Sequence, residues 1–247
     1  MGVVLVVGTA CSRPVNLEYR YAPKHHVGYV WTIHSNTQTE SAADSSSRTI
    51  QMVLDLQERL LPENMVRYTV TPVRIEIDGI EGRNPSSIVV DYMVTPTGLR
   101  RASGGELEGL PPLAGVAEEL KLPLPTQALR PGLAWNAPLR VEGPSVFLDL
   151  TGQGRLQGFE LKDQRRLAIL SISRRGKART TETVEKATVQ LEGTMSVDTE
   201  IKFDIDRGVV VDSASSSIST YGVSLPASTP TAKITVRLTS TIRIKSG

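Results

Sequence analysis

The sequence is poor in the residues that most often build catalytic and metal sites. Its 247 residues include one cysteine and three histidines. A single cysteine excludes an intramolecular disulfide and any zinc site built from several thiolates. Aromatic residues make up 4% of the chain, which argues against a surface that stacks sugars or the bases of single-stranded nucleic acid.

The chain also lacks an excess of charge of one sign and a long hydrophobic run. It carries 28 basic and 26 acidic residues, a balance that predicts no nucleic-acid partner. No apolar stretch approaches the roughly 20 residues that a transmembrane helix needs. The hydrophobic fraction of 39% is typical of a soluble globular chain.

The residues that could bind a metal are scattered. His26 and His34 fall on one face of a predicted strand about 26 Å apart, which is too far to share a metal ion, and His25 points to the opposite face. Asp204 and Asp206 share a strand face beside a turn. A calcium site is one interpretation of this pair, and a solvated hairpin end is the favoured one.

Nucleophilic catalysis has no better support. The sequence contains no Gly-x-Ser-x-Gly elbow. We interpret the serines at 45–47 and 213–219 as solvated loop or edge strand. The sequence therefore predicts no catalytic residue, no metal, no cofactor and no enzymatic activity.

Residues 1–11 resemble the end of an export signal. A short apolar run is followed by small residues and then by Cys11. Gly8-Thr9-Ala10-Cys11 is similar to the bacterial lipoprotein cleavage box, in which this cysteine becomes the lipidated first residue. The alternative is a buried strand with a packed cysteine. Lipidation predicts anchoring to a membrane of the cell envelope, with residues 12–25 as a tether.

Period-two alternation of apolar and polar residues is the clearest pattern in the chain. It runs from 189 to 205 and returns from 233 to 245, and it predicts long strands with one apolar and one wet face. Long antiparallel strands of this kind twist and curl. The candidate ligand-binding residues are the apolar members of this face: Val189, Leu191, Met195, Val197, Ile201, Phe203, Ile234, Val236 and Leu238.

The predicted fold is mainly β, with long curved antiparallel sheet, a half-barrel or open barrel, and at most one or two short helices. Residues 26–110 form a first β half and residues 133–247 a second. Residues 111–132 form a Pro- and Leu-rich connector with a short helix over 113–121. Similar hairpin patterns at 73–98 and 158–176 suggest that the halves are related. Residues 50–61 fit a strand, with a helix as the competing interpretation.

Basic residues concentrate at Arg165-Arg166 and over 174–179. As a hairpin tip, these residues would contact anionic lipid headgroups. The favoured interpretation is a charged loop that protects a sheet edge.

Several short motifs resemble a family of bacterial envelope proteins, the DUF6263-like group. They are Leu124-Pro125, the segments 130–135 and 154–160, and Gly193-Thr194-Met195 leading to 203–208. More distantly, the chain is similar to LolA/LppX-type lipoproteins, half-barrels that hold acyl chains. The first resemblance implies no catalytic residues, and the second implies a lipid-facing cavity.

Two functions follow as hypotheses. In the first, the chain is a membrane-anchored envelope lipoprotein that binds a lipid or another hydrophobic ligand on the concave face of its sheet. In the second, the same face is simply core, and the chain is a structural or adaptor module that binds other envelope proteins.

Overall fold

The computed structural model describes residues 14–20, 26–40, 45–83, 86–95, 98–104, 123–142, 146–184, 187–224 and 235–246. The signal segment with Cys11, the helix predicted over 113–121, and Ile234 lie outside these residues. None of the described residues forms a helix long and apolar enough to cross a bilayer.

Thirteen strands form the described structure. In chain order they are β1 His26–Glu40, β2 Ser45–Leu61, β3 Met65–Ile77, β4 Ile80–Glu81, β5 Ile88–Thr95, β6 Gly98–Gly104, β7 Ala134–Asn136, β8 Leu139–Glu142, β9 Val146–Lys162, β10 Arg165–Val184, β11 Ala187–Asp204, β12 Val209–Ser224 and β13 Thr235–Ser246.

The alternation read from the sequence is the reason these segments are strands. In β2 the even positions from Ile50 to Glu58 are buried, and the odd ones between them are more exposed. In β11 the odd positions from Val197 to Phe203 are buried. Since a helix would not place every second residue on one side, the strand interpretation of residues 50–61 is confirmed.

All strands belong to one antiparallel sheet. Its order is β6-β5-β3-β2-β1-β13-β12-β11-β10-β9-β7, with β4 paired to β3 and β8 paired to β9. The end strands β6 and β7 do not pair with each other within the described part of the chain, so the sheet is open. The prediction of a mainly β fold with long antiparallel strands is confirmed.

The last strand, β13, joins the two predicted halves. It pairs with β1 on one side and with β12 on the other. Because hydrogen bonds run continuously across β13, the strands before residue 105 and those after residue 133 form a single sheet.

The described part of the predicted tether packs against the sheet. Leu17 is 1% exposed and Tyr19 is also buried. The Tyr19 ring meets Phe203 edge-on at 5.8 Å between ring centroids, and the Arg20 amide donates a 3.1 Å hydrogen bond to the Gly208 carbonyl. The tether prediction is therefore wrong for residues 14–20, because two apolar side chains hold this segment in the core.

The described end of the predicted connector, residues 123–132, also packs inward. Leu124 and Leu129 are buried, and Leu129 forms an isolated antiparallel bridge with Val15. The Trp135 indole donates a 2.7 Å hydrogen bond to the Pro123 carbonyl. These residues are therefore part of the core, not a free linker.

Candidate ligand-binding face

The sheet carries two separate clusters of buried apolar side chains. The first cluster contains residues from β1, β2, β3, β5, β9, β10 and β11, together with Leu17, Tyr19, Leu124, Leu129 and Trp135. The second cluster contains Leu139, Val141, Leu148, Leu150, Ala178, Leu191, Val197 and Tyr221, with the half-buried Val189 and Met195 against it.

The structure divides the predicted ligand-binding residues between these clusters. Ile201 and Phe203 belong to the first cluster, whereas Val189, Leu191, Met195 and Val197 belong to or pack against the second. In the register of β12 with β13, Val236 lies opposite Tyr221 and Leu238 opposite Ser219.

The first cluster is filled by the chain itself. The segments 14–20 and 123–137 supply apolar side chains to it, and strands from both halves of the sheet supply the rest. Phe203, one of the predicted ligand contacts, is 0% exposed and lies against Tyr19. A close-packed interior of this kind leaves no room for a ligand.

The second cluster has a simpler construction. All of its residues come from β8, β9, β10, β11 and β12, which are neighbours in one sheet. The described segments that cover the first cluster contribute no residue to it. Val189 and Met195 keep part of their surface exposed. Of the two clusters, this is the one whose described residues form an apolar face without a second layer.

A row of buried serines crosses the same face, and it was not predicted from the sequence. Ser213, Ser215, Ser217 and Ser219 of β12 are all buried. The Ser215 and Thr199 hydroxyls lie 3.0 Å apart in a hydrogen bond. The interpretation of 213–219 as solvated loop or edge strand is wrong, since β12 lies between β11 and β13. Serine at every second position from 213 to 219 was the sequence signal that one face of β12 carries the same side chain throughout.

Glu58 is a further buried polar residue that was not predicted from the sequence. It is 4% exposed, on the buried face of β2, and its carboxylate accepts a 2.5 Å hydrogen bond from the Tyr68 phenol. Burial, followed by the charge of Glu58, raises the pKa of Tyr29 far above its ordinary value. The Tyr29 phenol also donates to the Val210 carbonyl at 3.3 Å.

The two acidic residues beside the β11–β12 turn have structural partners. Asp204 is buried, and its Oδ1 accepts hydrogen bonds from the amides of Asp206 at 3.1 Å and Arg207 at 2.9 Å. Asp206 pairs with Arg166 at 2.8 Å, and this hydrogen bond lowers the pKa of the Asp206 carboxyl. Within the described ranges, no three His, Cys, Asp or Glu side chains are grouped to hold a metal ion.

The basic residues do not form one hairpin tip. Arg165 and Arg166 begin β10 beside its turn, but residues 174–179 lie in the middle of that strand. Arg174 points to the buried face and donates a 2.8 Å hydrogen bond to the Ala137 carbonyl. The hairpin-tip interpretation is therefore wrong for 174–179.

His26 and His34 are exposed on β1.

A depression of about 560 Å³ lies where β7, β9, β10, β11 and β12 run side by side. Its lining residues are 134, 153–155, 171–173, 198–200 and 214–216. The charged members, Arg155, Asp198 and Glu200, are all exposed. Its lining also includes Ile172, Thr199 and Ser215, whose side chains are buried.

Comparison with known proteins gives little further information. No family model matches the chain, so the DUF6263-like resemblance stays a prediction, and no curated protein matches it. Among solved structures, OccK11 (OpdR) of Pseudomonas aeruginosa is similar at 7% identity and a TM-score of 0.29, over 96% of this chain and 100% of that one.

Two further solved structures are weakly similar. A DUF1329 family protein from Desulfovibrio piger has 9% identity and a TM-score of 0.17, over 86% of this chain and 83% of its own. A domain from Vibrio parahaemolyticus that is named as a candidate outer-membrane lipoprotein-sorting protein has 9% identity and a TM-score of 0.18, over 88% of this chain and 85% of its own. Similarity at this level supports no conclusion about function.

Proposed function

We propose that this chain is a non-catalytic protein of the bacterial cell envelope, anchored to a membrane through lipidated Cys11, that binds the apolar part of a lipid at the second cluster. The proposal narrows the predicted binding surface. It keeps Val189, Leu191, Met195 and Val197 as ligand contacts and gives up Ile201 and Phe203, whose surroundings are already packed.

The observation that carries the proposal is that Val189 and Met195 stay only half-buried at the second cluster, to which the described segments 14–20 and 123–137 contribute no side chain. Apolar side chains that keep part of their surface exposed beside a buried cluster offer a contact for an apolar partner. Val189 and Met195, which are half-buried at this cluster, are the proposed point of contact with a ligand. A saturated acyl chain fits this surface because it offers no polar group that would have to be desolvated.

A binding titration with a fluorescent fatty acid tests this site. Val189→Asp places a carboxylate on the apolar face, and we expect it to weaken binding about tenfold or more. Val30→Asp is the matched control, because Val30 is also a strand valine but is 50% exposed. Equal binding by wild type and both variants, with folding verified by circular dichroism, would contradict the proposal.

The anchor is tested by fractionation of cells that express the chain with its first eleven residues. We expect the wild type in the membrane fraction and Cys11→Ser in the soluble fraction, since several acyl tails anchor stably where one is marginal. Identical fractionation of the two would overturn the lipidation proposal without affecting the ligand site.

The adaptor function stays as a second candidate because the first cluster is filled by the chain and the depression around Arg155 and Glu200 is open to solvent. In this case, the partner would be another envelope protein. Mass spectrometry of organic extracts from the purified protein separates the two functions. Co-purifying lipid favours the first function, and its reproducible absence favours the second.

A further inference from the structure

We infer that the depression on β9, β10 and β11 binds a small zwitterion, with Arg155 holding its acidic group and Asp198 and Glu200 holding its ammonium group. The inference does not depend on the proposed lipid site, which uses none of these three residues. A free α-amino acid and the phosphoethanolamine head group of a lipid share this chemistry.

Two rows of side chains that run across the strands line the depression. In the first row, Arg155 of β9 lies opposite Ser171 of β10, and Ser171 lies opposite Glu200 of β11. In the second row, Ser173 lies opposite Asp198. Residues directly opposite each other in antiparallel strands share a face, so charged side chains of β9 and β11 flank the short serines of β10.

The depression opens on the face that carries these side chains. Ile172 and Thr199 lie between the two rows, so their side chains point to the other face, where they are buried. Their neighbours on that other face, such as Arg174 and Val197, do not line the depression. Its volume of about 560 Å³ falls within the range of about 300–1,000 Å³ that is usual for ligand pockets.

The charges on the two sides of the depression are not paired with each other. Arg155, Asp198 and Glu200 are exposed, and none of them forms an ion pair or a side-chain hydrogen bond with another described residue. The next outward residue of β11, Lys202, reaches Glu160 of β9 at 2.7 Å. Opposite charges can therefore meet across β10, and at the depression they are left open to a ligand.

The distance between the two sides determines the size of the ligand. Since β10 lies between them, β9 and β11 are about 10 Å apart, and side chains on a sheet stand roughly perpendicular to it. A charge-assisted hydrogen bond at each end takes up about 3 Å. About 4 Å is then left between the ammonium nitrogen and the acidic oxygen of the ligand, which is the separation in a small zwitterion.

The polar groups of the depression also orient the ligand. The Ser171 hydroxyl accepts a 2.6 Å hydrogen bond from Nε2 of Gln157 and can still donate its own proton. Because Ser171 lies opposite Arg155, both donate toward an acidic group on the β9 side. The two carboxylates of β11 accept from an ammonium group, which has three donors and no acceptor.

Titration calorimetry at low ionic strength tests the site with four soluble probes. L-alanine and phosphoethanolamine carry both charges, whereas propionate and ethanolamine each carry only one. We expect the wild type to bind at least one zwitterion about tenfold or more tightly than either singly charged probe. The tighter zwitterion identifies the source, which is a free amino acid for L-alanine and a lipid head group for phosphoethanolamine.

Four variants test the assigned residues. Arg155→Gln and Glu200→Gln should each weaken zwitterion binding about tenfold, as loss of one charge-assisted hydrogen bond would give. Lys177→Gln and Glu192→Gln are the matched controls, because they make the same changes of charge at exposed positions of β10 and β11 outside the depression. These two variants should bind as the wild type does.

Three results would overturn the inference. The wild type could bind neither zwitterion, it could bind a singly charged probe equally well, or the control variants could lose as much affinity as Arg155→Gln. The proposed function is judged separately, by the binding of a fluorescent fatty acid. Arg155→Gln should leave that binding unchanged, so failure of the zwitterion site and failure of the lipid site are distinguishable.

Discussion

The Tyr68 phenol donates a 2.5 Å hydrogen bond to the carboxylate of Glu58 inside the first cluster. The two residues lie opposite each other in the register of β2 with β3, and both are buried. The Tyr68 ring also meets Tyr92 edge-on at 5.4 Å, which fixes the direction of the phenol. A buried carboxylate is therefore held in place by an aromatic side chain that is itself packed.

Removing the phenol should destabilise the protein. Tyr68→Phe keeps the ring and its contact with Tyr92 but takes one donor from a buried acceptor, and we expect a loss of about 1–3 kcal/mol in the free energy of unfolding. Urea denaturation measures the loss. In combination with Glu58→Gln, the two effects should be non-additive because the residues are in contact. Additive effects would show that the hydrogen bond contributes nothing.

Tyr29 should make stability depend on pH in alkaline solution. Burial, and then the charge of Glu58, raises the pKa of Tyr29 above its ordinary value of 10.0. Above that value the unfolded chain loses the phenol proton while the folded chain keeps it, so the unfolded state binds fewer protons. The contribution of Tyr29 to the free energy of unfolding is therefore complete below pH 10. It falls as the pH rises further, by up to about 1.4 kcal/mol per pH unit.

The check is chemical denaturation between pH 9 and pH 11.5 of the wild type and Tyr29→Phe. The variant lacks the titrating group, so its stability should fall less steeply with pH. Parallel curves would mean that the Tyr29 phenol ionises as readily in the folded protein as in the unfolded chain.

The sequence predicted the buried face correctly where apolar and polar residues alternate. It did not predict burial where the buried side chains are polar. In β11 the apolar residues identify the buried face, and the structure agrees from Val197 to Phe203. In β12 the buried positions are serines such as Ser217, and polarity alone suggested a solvated segment. Burial in β12 depends on which strands lie beside it. That depends on the strand order of the sheet, and the residue pattern within one strand does not indicate this order.

The same limit explains the error at residues 14–20. A short segment with Pro14 and Asn16 has the composition of a tether. Its burial depends on Leu17 and Tyr19 meeting residues from the other end of the chain, among them Phe203. For the candidate ligand-binding residues, the sequence predicted the apolar side of β11, but it did not indicate that the chain itself fills the first of the two clusters.

Leu17 provides a test of that packing. Leu17→Ala removes a side chain that is fully buried in the first cluster, and we expect it to destabilise the protein by about 2–5 kcal/mol. Glu18→Ala is the control in the same segment, because the Glu18 side chain is 47% exposed, and it should change stability by less than about 0.5 kcal/mol. If Leu17→Ala is equally neutral, residues 14–20 behave as a tether after all.

Gly154 of β9 should be intolerant of any side chain, for a reason specific to its neighbour. It lies opposite Trp135 of the edge strand β7, and a Cβ at this position would collide with carbons of the Trp135 ring. Gly154→Ala must displace the indole and break its hydrogen bond to the Pro123 carbonyl. We expect a loss of about 1–3 kcal/mol in the free energy of unfolding and a red shift of the tryptophan fluorescence as the ring becomes more exposed.

Gly158→Ala on the same strand is the matched control. Nothing lies within 4 Å of the added Cβ, and the smaller backbone entropy of alanine in the unfolded chain favours folding. Similar stability for the two variants would show that the Trp135 ring does not pack on β9, and with it that the connector is not held against the sheet at this point.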